Sequence, residues 1–217
     1  MGKVDKHSGC LRVAHLLTLA TMLSCSCAPR FKHPLPAPEN LKPDRTVSGL
    51  WFRKTQNDRQ QLSVFPRKDG WVDIVYIYDI ESRTSADGIN VLVFEGYTTS
   101  AAERKFMCFR LREKDLHALK QDWEDQRAFL IVNYSVSKSG DLTIRHLSTE
   151  RVADLVNDGR LKGDVAEDEI TDGAFNEGVV VLSSSEELLD VVRREGPDTL
   201  LGDSVSDTMV FHRTKTD

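Results

Sequence analysis

Asp164, Glu167, Asp168, Glu169 and Asp172 crowd carboxylates into one short stretch that could supply the oxygens a calcium ion needs. Set on an EF-hand loop beginning at Asp168, Asp172 and Gly173 fill the fifth and sixth positions. Ile170 then occupies the third, and Val179 stands where the closing Glu is required, so the stretch reads as a solvated acidic loop. His33, His117, His146 and His212 have no close spacing and no His-x-x-x-His pair, which leaves no helix-borne zinc site. Ser183, Ser184 and Ser185 lie outside any Gly-x-Ser-x-Gly elbow and read as a strand end followed by a helix cap. There is no glycine-rich phosphate loop, and carboxylate pairs are too common here for any one of them to mean catalysis. The chain is therefore expected to be no enzyme, with no cofactor and no metal.

The cysteines carry a different kind of chemistry. There are four, Cys10, Cys25, Cys27 and Cys108, with no disulfide framework and no Cys-x-x-Cys spacing. Cys108 falls in an apolar, strand-like run and is expected to be a small buried hydrophobe, the alternative being a pairing with Cys27. Cys25 instead closes the apolar run Leu16 to Leu23, with Lys3, Lys6 and Arg12 upstream. That run is far short of the ~20 residues a membrane span needs but suits the apolar part of a secretory signal.

The end of this signal resembles the lipobox of bacterial lipoproteins. Small Ser24 precedes Cys25, although Met22 stands three places before it and Leu23 comes one place late for the usual branched residue. Cys27, preceded by Ser26, is the alternative acceptor, and plain cleavage near Ala28 the alternative outcome. The resemblance implies removal of residues 1–24, acylation of Cys25 and a membrane anchor of two or three chains, since one chain holds only marginally. Ser26 resembles the sorting pattern for an outer membrane, so the expected place is the cell envelope, facing the periplasm where the host has two membranes. Ordering the chain on this basis gives a signal at 1–24, a lipidated, proline-rich tether at 25–46 and one β-rich domain at 47–214. The tether reading rests on five of the seven prolines falling between Pro29 and Pro43.

The whole chain carries a net charge of −5. Without Lys3, Lys6, Arg12 and Asp5 there remain 26 basic and 33 acidic residues, a net −7. Such a domain has no basic stripe to neutralise phosphates, which argues against nucleic acid. The same balance argues against a flat hold on anionic lipid.

Positions 50–53, 61–67, 72–80, 90–98, 105–112, 128–137, 142–147, 178–183 and 208–214 are expected strands. Their residues alternate: Phe129, Ile131 and Asn133 oppose Leu130, Val132 and Tyr134, and Val91, Val93 and Glu95 oppose Leu92, Phe94 and Gly96. Glycines Gly70 and Gly140 sit where tight hairpins need a positive φ. Ser184 to Glu187 forms a capping box for a helix with an apolar stripe from Leu188 to Val192 that Gly196 ends. A second helix is expected at 149–158 and a third at 113–123. Short strands adjacent in sequence predict a mainly β domain, an antiparallel meander with two or three short helices.

Gly49-Leu50-Trp51 on the first strand and Arg213 on the last resemble the closing residues of lipocalins and lipocalin-like barrels. In those barrels the cation lies over the indole and staples the terminal strands together. The middle lipocalin motif is not evident, and two late helices depart from the usual single one. The full order, from export signal to final strand, resembles uncharacterised bacterial envelope lipoproteins with a lipocalin-like β-barrel domain. The resemblance implies an interior that Tyr76, Tyr78, Phe94 and Tyr97, with Trp71, would line around a small apolar ligand, unless these rings fill a solid core. The function expected is that of a non-enzymatic binding or accessory protein with a protein partner. The alternative is a lipocalin-like carrier of a small apolar ligand, or, more distantly, a hydrolase with an unrecognised site.

Overall fold

The computed structural model describes residues 28–55, 58–80, 89–112, 128–165, 178–201 and 208–213. The signal at 1–24, Cys25, Cys27, His117, the helix expected at 113–123, and Glu167, Asp168, Glu169 and Asp172 lie outside the described residues.

In chain order the strands are β1 (Arg30–Phe31), β2 (Gly49–Lys54), β3 (Asp58–Pro66), β4 (Val72–Ile80), β5 (Ile89–Ala101), β6 (Arg104–Leu111), β7 (Leu130–Val136) and β8 (Asp141–His146). Helix α1 (Thr149–Asn157), β9 (Gly163–Val165), β10 (Val179–Val181), α2 (Ser185–Glu195), α3 (Pro197–Leu200) and β11 (Thr208–Arg213) follow. Eight of the strands close an antiparallel barrel in the order β11-β2-β3-β4-β5-β6-β7-β8. Apart from the β8-to-β11 step, each strand pairs with the next along the chain, and β11 meets β2 to shut the ring. The protein is mainly β, and its body is a closed eight-stranded antiparallel barrel, an architecture compatible with the lipocalin-like barrel expected.

Alternation produces this closure. Leu142 and Ile144 of β8, Met209 and Phe211 of β11, and Trp51 of β2 all face inward with their neighbours turned out. Hairpins at Gly70 (φ 88°) and Gly140 (φ 89°) join β3 to β4 and β7 to β8. The β5–β6 turn is different, because Ala102 (φ 45°) and Glu103 (φ 61°) take left-handed conformations without a glycine. Both central residues of a two-residue hairpin of this type must do so.

A second layer covers one side of the barrel. β10 lies parallel to β1 and antiparallel to β9 in a small sheet, and α1 and α2 pack with it. Their apolar faces bury the outward residues of β5, β6 and β7, among them Tyr97, Phe106, Cys108 and Ile131. This explains β5, which alternates as far as Glu95 and is then buried on both faces from Gly96 to Thr99. Helix α2 begins in the expected capping box, with Ser184 and Glu187 each accepting from the other's backbone N–H.

The expected tether at 25–46 is not free where it is described. Ala28, Phe31 and Leu35 are buried, so the described part of this segment belongs to the packed unit, ahead of Val47. Tyr97 Oη donates to the Leu35 carbonyl, and Thr99 Oγ1 donates to that of Pro36 at 2.9 Å. Proline keeps the segment extended, but Phe31 and Leu35 have side chains that a solvated linker would leave exposed and that the second layer needs.

Candidate functional site

Residues 41–48 close one end of the barrel. Leu41 lies over the β3–β4 hairpin, so close that a side chain at Gly70 would meet its carbonyl oxygen at 2.2 Å. Asp44 is the hub of this closure. Its carboxylate accepts from Lys105 Nζ at 2.6 Å, Tyr134 Oη at 3.0 Å, and the Thr46 N–H and hydroxyl at 2.8 and 2.7 Å. Partial burial alone would raise the Asp44 carboxyl; the bonds from Lys105, Thr46 and Tyr134 outweigh it and hold it at about 2. Burial, then the adjacent Asp44 charge, pushes the Tyr134 phenol upward. None of these four was singled out from the sequence as a site residue. The signal available was the Asp-x-Thr turn within the proline run.

Val47 follows as a fully buried plug, and its carbonyl accepts from Trp51 Nε1 at 2.8 Å. Arg213 pairs in register with Trp51, and its guanidinium carbon stands 4.5 Å from the indole centre. Its Nη2 donates to the carbonyls of Thr46 and Ser48, both at 3.0 Å. A side chain at Gly49 would sit 3.9 Å from this guanidinium, and the backbone there has φ 131°. Gly49, Trp51 and Arg213 thus meet at the seam where the last strand joins the first.

The four aromatic residues expected around a ligand divide between two cores. Tyr76 and Phe94 face the interior, and Tyr78 stacks on Tyr76 at 5.5 Å. Tyr97 faces outward into the second layer, edge-on to Trp71 at 5.4 Å. The interior cavity has a volume of about 30 Å³ and is lined by Leu62, Tyr76, Phe94, Met107, His146 and Phe211 among others. That is room for a water molecule or two, against roughly 300 Å³ or more in an ordinary ligand site.

The remaining chemical groups stay apart. Cys108 is a free, fully buried thiol whose burial pushes its pKa up to about 12, against opposing bonds from Leu35 and Tyr97. His212 Nδ1 lies 2.8 Å from Asp141 Oδ1 on the surface, His146 lines the cavity, and His33 is exposed. Among the described residues no three His, Cys, Asp or Glu are grouped to hold a metal ion.

The outer face of β2 to β5, which the second layer leaves uncovered, carries Leu50, Phe52, Phe65 and Val91, four of the six exposed large hydrophobics among the described residues. Register sets Leu50, Ser63, Val75 and Val93 in one row and Phe52, Gln61, Ile77 and Val91 in the next. Val91 is 54% exposed, Phe65 53% and Phe52 39%. Three strand spacings and a similar length along the strands make a patch on the order of 200 Å². At its edge Arg67 lies 3.6 Å from Glu95, which also accepts from Arg110 at 2.9 Å, while Arg112 lies 3.8 Å from Asp73. The sequence held the clue in Val91, Val75 and Phe52, which occupy the polar phase of alternating strands.

Compared with protein families, with curated proteins and with solved structures, this chain has no match.

Proposed function

We propose that the protein is a bacterial cell-envelope lipoprotein whose barrel is a non-enzymatic binding module for another protein. In this reading residues 1–24 direct export, Cys25 carries the acyl chains, and Ser26 favours the outer membrane, with the domain in the periplasm. The supporting observation is the bare apolar face of β2–β5 on a barrel whose inside is filled. Exposed apolar patches of a few hundred Å² are often functional, which supports reading this face as a docking surface. Carriage of a small apolar molecule would need an interior about ten times larger than the present one.

A photo-crosslinking residue placed at Val91 or Phe52, and at exposed Glu150 of α1 as the control, tests the assignment in cells making the full chain from its own signal. Capture of one protein from both face positions and not from Glu150 is expected. Equal capture everywhere, or none at Val91 and Phe52, would overturn the docking role.

A further inference from the structure

A chain packed from Ala28 onward has almost no slack before an anchor at Cys25. Two residues lie between them, and the three residue steps from Cys25 to Ala28 reach about 10 Å when extended. Ala28 leads directly into β1, which pairs with β10 and is bridged to Phe129 just ahead of β7 by bonds of 2.9 and 2.8 Å. In the ring of eight, β7 and β3 stand four strands apart in either direction. The bare face, centred on β3 and β4, therefore lies across the barrel from the point where the N-terminal chain leaves. Barrel and second layer together put roughly 25–30 Å between them, far beyond the reach of three residues.

From this we infer, resting on the lipoprotein reading above, that lipid on Cys25 holds the domain flush against the bilayer with its small outer sheet inward. The β2–β5 face then points away from lipid, into the aqueous compartment.

The outer sheet has a surface suited to that position. Phe31, Val179 and Val181 turn into the core. Alternation then leaves Arg30, Lys32, Val180 and Leu182 on the opposite face, with Arg30 beside Val180 and Val180 beside Asp164. Leu182 is 41% exposed, and its N–H donates to the Lys162 carbonyl at 2.8 Å. A leucine among long cationic side chains fits the headgroup boundary, where their stems cover apolar surface and their charges reach phosphate. Lys162 is engaged by Glu187 at 2.5 Å and Asp164 adds a negative charge. The acyl chains accordingly supply the hold, and this face only the orientation.

The test uses the full chain made from its own signal in a Cys27→Ser background, with Lys32→Cys or Phe52→Cys labelled with bimane. Buried Cys108 stays unlabelled in the native protein. Each sample is placed in phosphatidylethanolamine–phosphatidylglycerol vesicles with and without brominated acyl chains. Bimane at position 32 should lose about half its emission in brominated vesicles and bimane at 52 almost none. Inserting about 20 Gly/Ser residues before Ala28, with a root-mean-square reach of roughly 25 Å, should abolish the quenching at 32. Intact mass is read first, on the wild-type chain and on the Cys27→Ser chain: no acyl groups on either removes the lipoprotein reading and this inference with it, and acylation of the wild-type chain alone moves the anchor to Cys27 and overturns the placement on Cys25. An acylated chain quenched equally at both sites, more at 52, or unaffected by the insertion overturns the flush orientation alone.

Discussion

Replacing Asp44 by Asn should cost the protein about 1–1.5 kcal/mol at neutral pH, and that cost should fade in acid. The amide keeps the size of the side chain and an oxygen for Thr46, but it removes the negative charge facing Lys105 and Tyr134. In the folded protein the carboxyl is held at about 2 against 3.8 for the ordinary group. At about 1.4 kcal/mol per unit, that difference is worth roughly 2.5 kcal/mol without screening. The Lys105 side chain is 49% exposed and that of Asp44 17%, so water screens the pair and roughly halves the figure. Because the folded value is the lower one, the stabilisation is complete above about pH 4 and is lost as pH falls through 3.8 towards 2. Urea unfolding of the chain from residue 25 onward, wild type and Asp44→Asn, at pH 7, 4 and 2.5 gives the comparison. Other carboxylates titrate in both proteins and cancel in the difference. The gap should be full at pH 7 and less than half as large at pH 2.5. A gap of the same size at every pH, or none at pH 7, would refute the role of the Asp44 charge in closing the barrel end.

Arg213→Ala removes two bonds to carbonyls and the cation over Trp51, and should lower stability by about 2 kcal/mol with a shift in tryptophan emission. Arg213→Lys should recover only part, since one ammonium cannot cover the indole and reach both carbonyls, and equal midpoints for the two variants would contradict this. The double variant Ala102→Asn, Glu103→Gly should raise stability by about 1 kcal/mol, read as a higher urea midpoint with unchanged slope. Cys108, with its pKa pushed up to about 12 and no exposed surface, should resist iodoacetamide at pH 8 in the native protein and react fully in denaturant.

Several features followed from local pattern alone, because the forces behind them act within a few residues. Alternation in 129–134 and 91–96 assigned each side chain to a face, and the structure sends Ile131 to the second layer and Val132 to the barrel interior. Glycine marked the hairpins at Gly70 and Gly140, since few other residues take a positive φ without strain. Ser184 and Glu187 announced the start of α2 through a cap that needs nothing beyond its own first turn. Beyond local pattern, the resemblance to lipocalin-like closing residues implied that Trp51 and Arg213 meet, and pairing in register of the last barrel strand with the first brings one over the other.

What the tertiary structure alone decided depends on partners distant in the chain. The β5–β6 turn carries no turn residue, and Ala102 and Glu103 are forced into it by long pairing on both sides. Tyr97 turns outward because a second layer built from residues 28–35, 149–165 and 178–201 waits there, a fact invisible in β5 itself. The proline-rich segment looked solvated by composition, yet Phe31, Leu35 and Asp44 find partners from 60 to 100 positions away along the chain. The size of the interior was likewise beyond pattern, because alternation says which side chains face inward but not how tightly they interlock. The chain alone therefore determined which faces are apolar and where it turns. Packing decided which of those faces are covered, and so which one remains free.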